Sequence, residues 1–267
     1  MTVESAAATG QVSRQAAAVY EEFFVPALFG EWAPRIVGAA GVRLGSRVLD
    51  VACGTGIAAR HAAAIAGPGA WIVGLDRNPG MLAVAMAKAP DIEWMEGLAE
   101  DLPFPDASFD AVISQFGLMF FDDRAEALAE MYRVTRPEGR MAVAIWGRVE
   151  DAPGYAAMID LVESRAGPEA AEALSMPFVL GDEAELLAEY ARAGLPEPEI
   201  VTLKGTARFP SVTEWVRIDV TGWTLADIID PGQYDALQEA APAALSRFTW
   251  PDGRVAFPVS AHVALYR

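Results

Sequence analysis

Cysteine occurs once, at Cys53, and histidine only twice, at His61 and His262. A single cysteine excludes an intrachain disulfide and a four-cysteine zinc site. Two histidines argue against a histidine-rich centre, so no metal is expected. Positive charge is scarce as well: 20 Lys and Arg stand against 37 Asp and Glu in 267 residues, a formal charge of −17. With no run of Lys or Arg to offset it, such a surface repels phosphate backbones and anionic lipid. Neither nucleic acid nor a membrane is an expected partner. No apolar run approaches the roughly 20 residues that span a bilayer. The opening MTVESAAATGQVSRQ has neither the basic start nor the apolar stretch of a secretory signal. The expectation is a cytoplasmic protein.

What the chain does have is apolar material, 53% of its residues, with 21% charged. That composition supplies a core and excludes intrinsic disorder. The first forty residues read as helical, with Val19, Phe23, Phe24, Leu28 and Phe29 as the apolar positions and Pro26 and Pro34 as interruptions. From Arg47 a new rhythm begins. Short apolar runs at 48–51, 71–75, 92–95, 109–114 and 140–146 alternate with helical stretches at 57–66, 80–88 and 126–134. Nearly continuous apolar strands joined by helices imply a parallel sheet covered on both faces. Helices are expected at 153–167 and 182–194, a strand at 199–209, and helix in two pieces over 211–244, broken at Gly222 and Pro231-Gly232. Alternation over 255–257 and 260–266 predicts a last strand.

The chemistry concentrates in VLDVACGTG, Val48 to Gly56, where a buried strand enters Gly54-Thr55-Gly56 and then a helix. Glycines suit a loop that a ligand approaches closely, because no Cβ intervenes. Asp76 follows some twenty residues later, at the end of the second apolar run. A carboxylate there accepts both ribose hydroxyls of a nucleoside, although Asp76 would equally cap the helix near Pro79. Asp50, four residues before Gly54, is placed to hold the loop and meet a cationic ligand. Gly54, Gly56 and Ala59 also satisfy G-x-G-x-x-A, the pattern of a nicotinamide-binding loop.

Three further segments separate these readings: EGLAEDLPFPDASFD from Glu96, AVISQFGLMFFDD from Ala111, and MYRVTRPEGRMAVAIW from Met131. With VLDVACGTG and GLDRNPGML they resemble the class I S-adenosylmethionine-dependent methyltransferases, most of all the small-molecule group containing the ubiquinone and menaquinone C-methyltransferases. The resemblance runs from Val48 to Trp146. It implies an α/β, Rossmann-like, seven-stranded, mostly parallel sheet with an antiparallel last strand, plus helical caps from the N-terminus and the C-terminal half. The whole chain, 1–267, then reads as one domain: an N-terminal helical cap (1–45), a cofactor-binding core (46–147), helical additions with one strand (148–250) and the last strand (251–267).

The same resemblance implies S-adenosyl-L-methionine as cofactor and assigns its site. Asp50, Cys53, Gly54, Thr55 and Gly56 form the loop, with Thr55 at the methionine end. Asp76 takes the ribose, with Arg77 and Met81 beside it. Leu98 and Ala99 flank the adenine, and Gln115 faces the sulfonium side. Leu98 stands where Asp or Asn is frequent, so only backbone contact with the adenine edge remains. The usual RPGG turn is Arg136-Pro137-Glu138-Gly139. Tyr20, Phe116 and His262 are candidates for the acceptor side, each with core packing as its plain alternative. Phe120 and Phe121 divide evenly between packing and roofing the pocket. Trp215, Trp223, Trp250, Phe178 and Phe248 either line a greasy pocket or form the core of the added helices.

The implied activity is methyl transfer to a small organic acceptor by in-line displacement, through positioning and exclusion of water. No general base is assigned. Cys53 inside the cofactor loop is expected to pack and not to attack. The aromatic motif of base-amine methyltransferases is absent after the fourth strand, and no Asp/His cluster offers magnesium for a catechol. Two other readings stand beside this one: a catalytically silent binding protein of the same fold, and an NAD-dependent oxidoreductase. The first need not keep the loop and Asp76; the second lacks a Tyr-x-x-x-Lys pair and leaves Leu102-Pro103-Phe104 without a role.

Overall fold

The computed structural model describes residues 14–221, 225 and 228–266. Seven strands form one sheet in the order β3-β2-β1-β4-β5-β7-β6: β1 Val48–Val51, β2 Ile72–Asp76, β3 Glu93–Glu96, β4 Phe109–Gln115, β5 Thr135–Trp146, β6 Glu199–Phe209 and β7 Val255–Tyr266. The first five pair parallel, and β7 runs antiparallel to both β5 and β6. β1, β2 and the end of β5 are buried along their length, as their continuous apolar sequence requires of strands covered on both faces.

The parallel strands are joined by α3 Ile57–Ala66, α4 Pro79–Lys88 and α5 Arg124–Val134. Each start has a physical cause. Asn78 caps α4 by accepting from Met81 N at 3.0 Å. Asp123 caps α5 through Ala125 N and Glu126 N. Such caps contribute about 1 kcal/mol each. The Leu102-Pro103-Phe104 segment is held by scaffold bonds: Leu102 N donates to Glu130 Oε2 at 2.9 Å, and Arg133 donates to the carbonyls of Leu102 and Phe104.

Before the sheet come α1 Arg14–Val19, a π-helix Tyr20–Phe29 and α2 Ala33–Ala39. Pro26 was expected to interrupt a helix and instead lies inside the π-helix. Proline has no N–H to give and collides with the carbonyl four residues earlier in α winding. The wider turn relieves that collision, and Gly30 N closes it on Val25 O at 2.6 Å, five residues back. Trp32, fully buried, fixes this cap to the sheet where Gly205 of β6 gives it room, since a Cβ there would stand 2.4 Å from the indole. Beyond β5 lie α6 Pro153–Ala166, α7 Pro168–Ser175, α8 Glu183–Arg192, α9 Val212–Thr221 and α10 Pro231–Ala244. α7 was not expected. β5 begins five residues earlier than its apolar run, because Thr135 pairs with Phe109 and the Arg136–Gly139 segment bulges out before pairing resumes at Arg140 and Ala111. No helix among the described residues is long and apolar enough to cross a membrane.

Candidate functional site

Where β1, β2 and β4 end, a cleft of about 850 Å³, its open mouth included, lies under the π-helix. Two non-glycine residues on its walls have left-handed backbone, Ala52 (φ 56°) after β1 and Phe116 (φ 59°) after β4. Such conformations cost about 1–3 kcal/mol each and gather at functional sites. They turn both strand ends sharply, so the loops pack against each other: a Cβ on Gly117 would stand 2.7 Å from that of Ala52.

The two loop glycines differ in their reasons. Gly56 has φ 83°, and a Cβ there would meet Trp94 at 2.2 Å, so it serves the fold. Gly54 has φ 55° and nothing within 4 Å of where its Cβ would be, so the space beside it is left to a ligand. The helix that follows has no side-chain cap on its own first residue. Asp50 supplies one from β1, its Oδ2 accepting from Ala59 N at 2.8 Å. Asp76 holds the loop's other side, accepting from Gly54 N at 2.7 Å and from Asn78 N at 2.8 Å.

Burial pushes the Asp50 carboxyl up to about 7, with the Asp76 charge adding to it and the Ala59 bond opposing it. Burial also raises Asp76, against the bonds from Asn78 and Gly54. The Cys53 thiol is pushed up by burial and then by both carboxylates, which keeps it protonated and unreactive. Tyr20 is likewise held as a neutral phenol by burial and the neighbouring acids. Three oxygens on the cleft wall, Asp50 Oδ1, Thr55 Oγ1 and Gln115 Oε1, are buried with no hydrogen-bond partner among the described residues. Buried polar groups are nearly always paired, so their grouping around Gly54 marks a place where a polar ligand completes the bonding.

Of the residues singled out in the sequence, Asp50, Cys53, Gly54, Thr55, Asp76, Arg77, Met81 and Gln115 line this cleft, with Tyr20 and Phe116 across from them. Phe120 and Phe121 line it too. Arg77 also pairs with Asp122 at 3.0 Å. His262 is a correction: it lies in β7 with Nε2 on the Gly181 carbonyl and Nδ1 on Thr202 Oγ1, and does not reach the cleft. Leu98 and Ala99 do not line it either; the chain leaves β3 at Gly97, tied to Asp76 O, and Leu98 beyond is 44% exposed. His61, on α3, is half-buried away from the walls. Trp215 is core, Trp250 is exposed, Phe248 packs on Trp215, and Trp223 lies outside the described residues. The sequence reading missed Phe29, Ala52, Asn78 and Gly117. Asn78-Pro79 carries a cap signal; the others have none in the local sequence. No group of three or more metal-binding side chains occurs among the described residues.

Residues 49–143 match the family described as methyltransferase domain. A demethylmenaquinone methyltransferase of Renibacterium salmoninarum is 46% identical over 113 residues, 42% of this chain and 46% of that one. A ubiquinone/menaquinone biosynthesis C-methyltransferase of a Marinomonas species is 33% identical over 158 residues, 56% of this chain and 63% of that one. The chain thus spans about half the length of the curated relatives it matches. In fold, it is similar to the YcgJ protein of Bacillus subtilis, with TM-score 0.57, 20% identity, and coverage of 88% of this chain and 97% of that one.

Proposed function

We propose that this methyltransferase domain binds S-adenosyl-L-methionine in the cleft and transfers its methyl group to a small organic acceptor. The observation that carries the reading is the set of unpartnered oxygens of Asp50, Thr55 and Gln115 around the open side of Gly54. Asp76 accepts one backbone amide on each oxygen. A carboxylate has about four acceptor sites, so capacity remains for two ribose hydroxyls. Thr55 and Gln115 serve the methionine end, and Asp50 Oδ1 lies near enough to the loop to meet a cationic group.

When bound, the cofactor supplies a methyl on positively charged sulfur, already activated for displacement. The protein's share is alignment and dryness. Phe29, Phe116, Phe120 and Phe121 present rings to the cleft, and Tyr20 closes over them as a neutral hydrogen-bond donor, stacked on Phe29 at 5.0 Å. Cys53 is protonated and Asp76 is bound to the loop, so Asp50, with its carboxyl raised to about 7, is the acid on this wall best placed to exchange a proton. The relatives' names favour an aromatic, quinone-like ring as the acceptor. The reading is of one enzyme domain over residues 1–267.

Titration calorimetry with S-adenosylhomocysteine tests the cofactor assignment. Binding is expected, and Asp76→Ala should weaken it thirty- to a hundredfold, about 2–3 kcal/mol for two charge-assisted bonds. No heat of binding to the native chain would remove the proposal; unchanged affinity in the variant would remove Asp76 from it.

A further inference from the structure

Behind the cleft lies a second space. With its open side included it spans about 460 Å³, a narrow space walled by Phe24 and Leu28 of the π-helix, Trp146 at the end of β5, Tyr155 of α6, and residues around α7. One layer of rings separates the two. Phe116, which faces the cleft, stacks on Trp146 with ring centroids 3.8 Å apart, and Phe29 lies 5.8 Å from Trp146 and 6.3 Å from Phe24. The single carboxyl on these apolar walls is Asp219 of α9, 4% exposed. Its Oδ2 is buried without a well-formed hydrogen bond among the described residues, and the indole N–H of Trp215, one turn earlier, approaches the carboxyl without completing one.

We propose that this cavity holds the body of the acceptor and that Asp219 is its positioning residue, hydrogen-bonding a carbonyl or hydroxyl oxygen on an otherwise apolar molecule. The proposal rests on the methyl-transfer reading for the word acceptor. A carboxyl with an unsatisfied oxygen in an apolar wall is costly and persists where a ligand completes its bonding. Burial pushes this carboxyl well above the usual carboxylate range, against the nearby Trp215 indole, and so favours the neutral, donating form. A cationic ligand is the other partner for an acid, but an ion pair in such a lining needs further hydrogen bonds to offset its desolvation, and among the described residues the wall offers only the Tyr155 hydroxyl and the Trp146 indole besides the acid. A neutral oxygen needs one bond. The ring layer through Phe29, Phe116 and Trp146 then separates an acceptor's body from the cofactor cleft and sets where its reacting edge emerges.

Three small probes read the site by quenching of tryptophan fluorescence: 1-naphthol, 1-methylnaphthalene and benzyltrimethylammonium. The native chain should bind 1-naphthol about tenfold more tightly than 1-methylnaphthalene. Asp219→Asn, which keeps a donor and cannot ionise, should retain most of that preference; Asp219→Leu should erase it and still bind 1-methylnaphthalene. Ala173→Phe, which fills the cavity from α7, should lose both naphthalenes, so the proposal stays testable if the leucine variant does not fold. Affinity for S-adenosylhomocysteine should be unchanged in all three variants. A preference that survives in Asp219→Leu, tighter binding of the ammonium than of the naphthol, naphthol binding that survives Ala173→Phe, or no naphthalene binding at all would overturn it. Failure of the native chain to bind S-adenosylhomocysteine would instead overturn the methyl-transfer reading, with the naphthol preference still reporting on Asp219.

Discussion

The cleft at the strand ends and the cavity behind it are neighbours built by opposite means. The cleft is made of backbone turns and short polar side chains: strained Ala52, the open face of Gly54, and the oxygens of Asp50, Thr55 and Gln115. The cavity is made of rings and aliphatic groups around one acid. A ligand with fixed charges and hydroxyls is recognised by groups that cannot move far, so its site rests on the first strands of the sheet. A ligand that is mostly apolar is recognised by shape, so the site proposed for it draws mainly on helices, with Trp146 and Val259 as the sheet's share. On that proposal, cofactor and acceptor are specified largely by different parts of this chain, the core and the cap.

That division can be broken or sharpened by substitution. The largest effect is expected from Gly56→Ala, where left-handed backbone and the Trp94 ring both resist a Cβ; stability should fall by roughly 2–4 kcal/mol, read by urea unfolding. A loss below about 1 kcal/mol would show that the loop can give and is not the rigid half. Next comes Asp50→Asn. With the folded carboxyl raised to about 7 from an ordinary 3.8, the native state keeps a proton that the unfolded chain has released. Stability from this group is therefore fully present below pH 4 and declines as pH rises toward 7. Subtracting the variant's pH profile from that of the native chain should expose this decline; a flat difference would return Asp50 to an ordinary acid.

A smaller effect is expected at the seam between core and cap. Arg60 of α3 donates to both oxygens of Glu21 in the π-helix, at 2.9 and 3.0 Å, and Lys88 stands 3.6 Å from the same carboxylate. Glu21→Gln should cost about 1 kcal/mol or less and speed amide exchange over residues 20–32, while S-adenosylhomocysteine should slow it there. Exchange that ignores both would make the π-helix a fixed wall, and Tyr20 would lose its role as a cover. The smallest effect belongs to Cys53→Ala, which should leave cofactor affinity within a few-fold. Loss of binding in a folded variant would give the thiol a part in the cleft that its packing does not predict.

The core was legible because parallel strands buried on both faces leave long apolar runs, and because a glycine loop and an acid at the next strand end are local signals. Local signals stop at β3. Leu98 and Ala99 follow a motif position, yet Leu98 turns outward after Gly97 while Ala99 packs into the core, and the motif alone does not encode that turn. His262 illustrates the same limit on a strand: the alternation of β7 was read, but not that Gly181 and Thr202 would meet both ring nitrogens. Phe29, Ala52 and Gly117 enter the cleft through contacts between distant segments, and Asp219 sits in an ordinary amphipathic helix whose partners are far away in the chain.

The winding of residues 20–29 carries one more consequence. At about 3.6 residues per turn, positions nine apart are two and a half turns apart and look in opposite directions. Tyr20 and Phe29 nevertheless stack, because these ten residues are wound more widely. The π-helix's contribution to the ring layer, Phe29, is therefore placed by helix pitch. Rewinding the same residues as an α-helix would swing Phe29 half a revolution from Tyr20 with no residue exchanged and no hydrophobic contact designed away. Pro26, which resists the narrower thread, therefore helps fix where Phe29 stands.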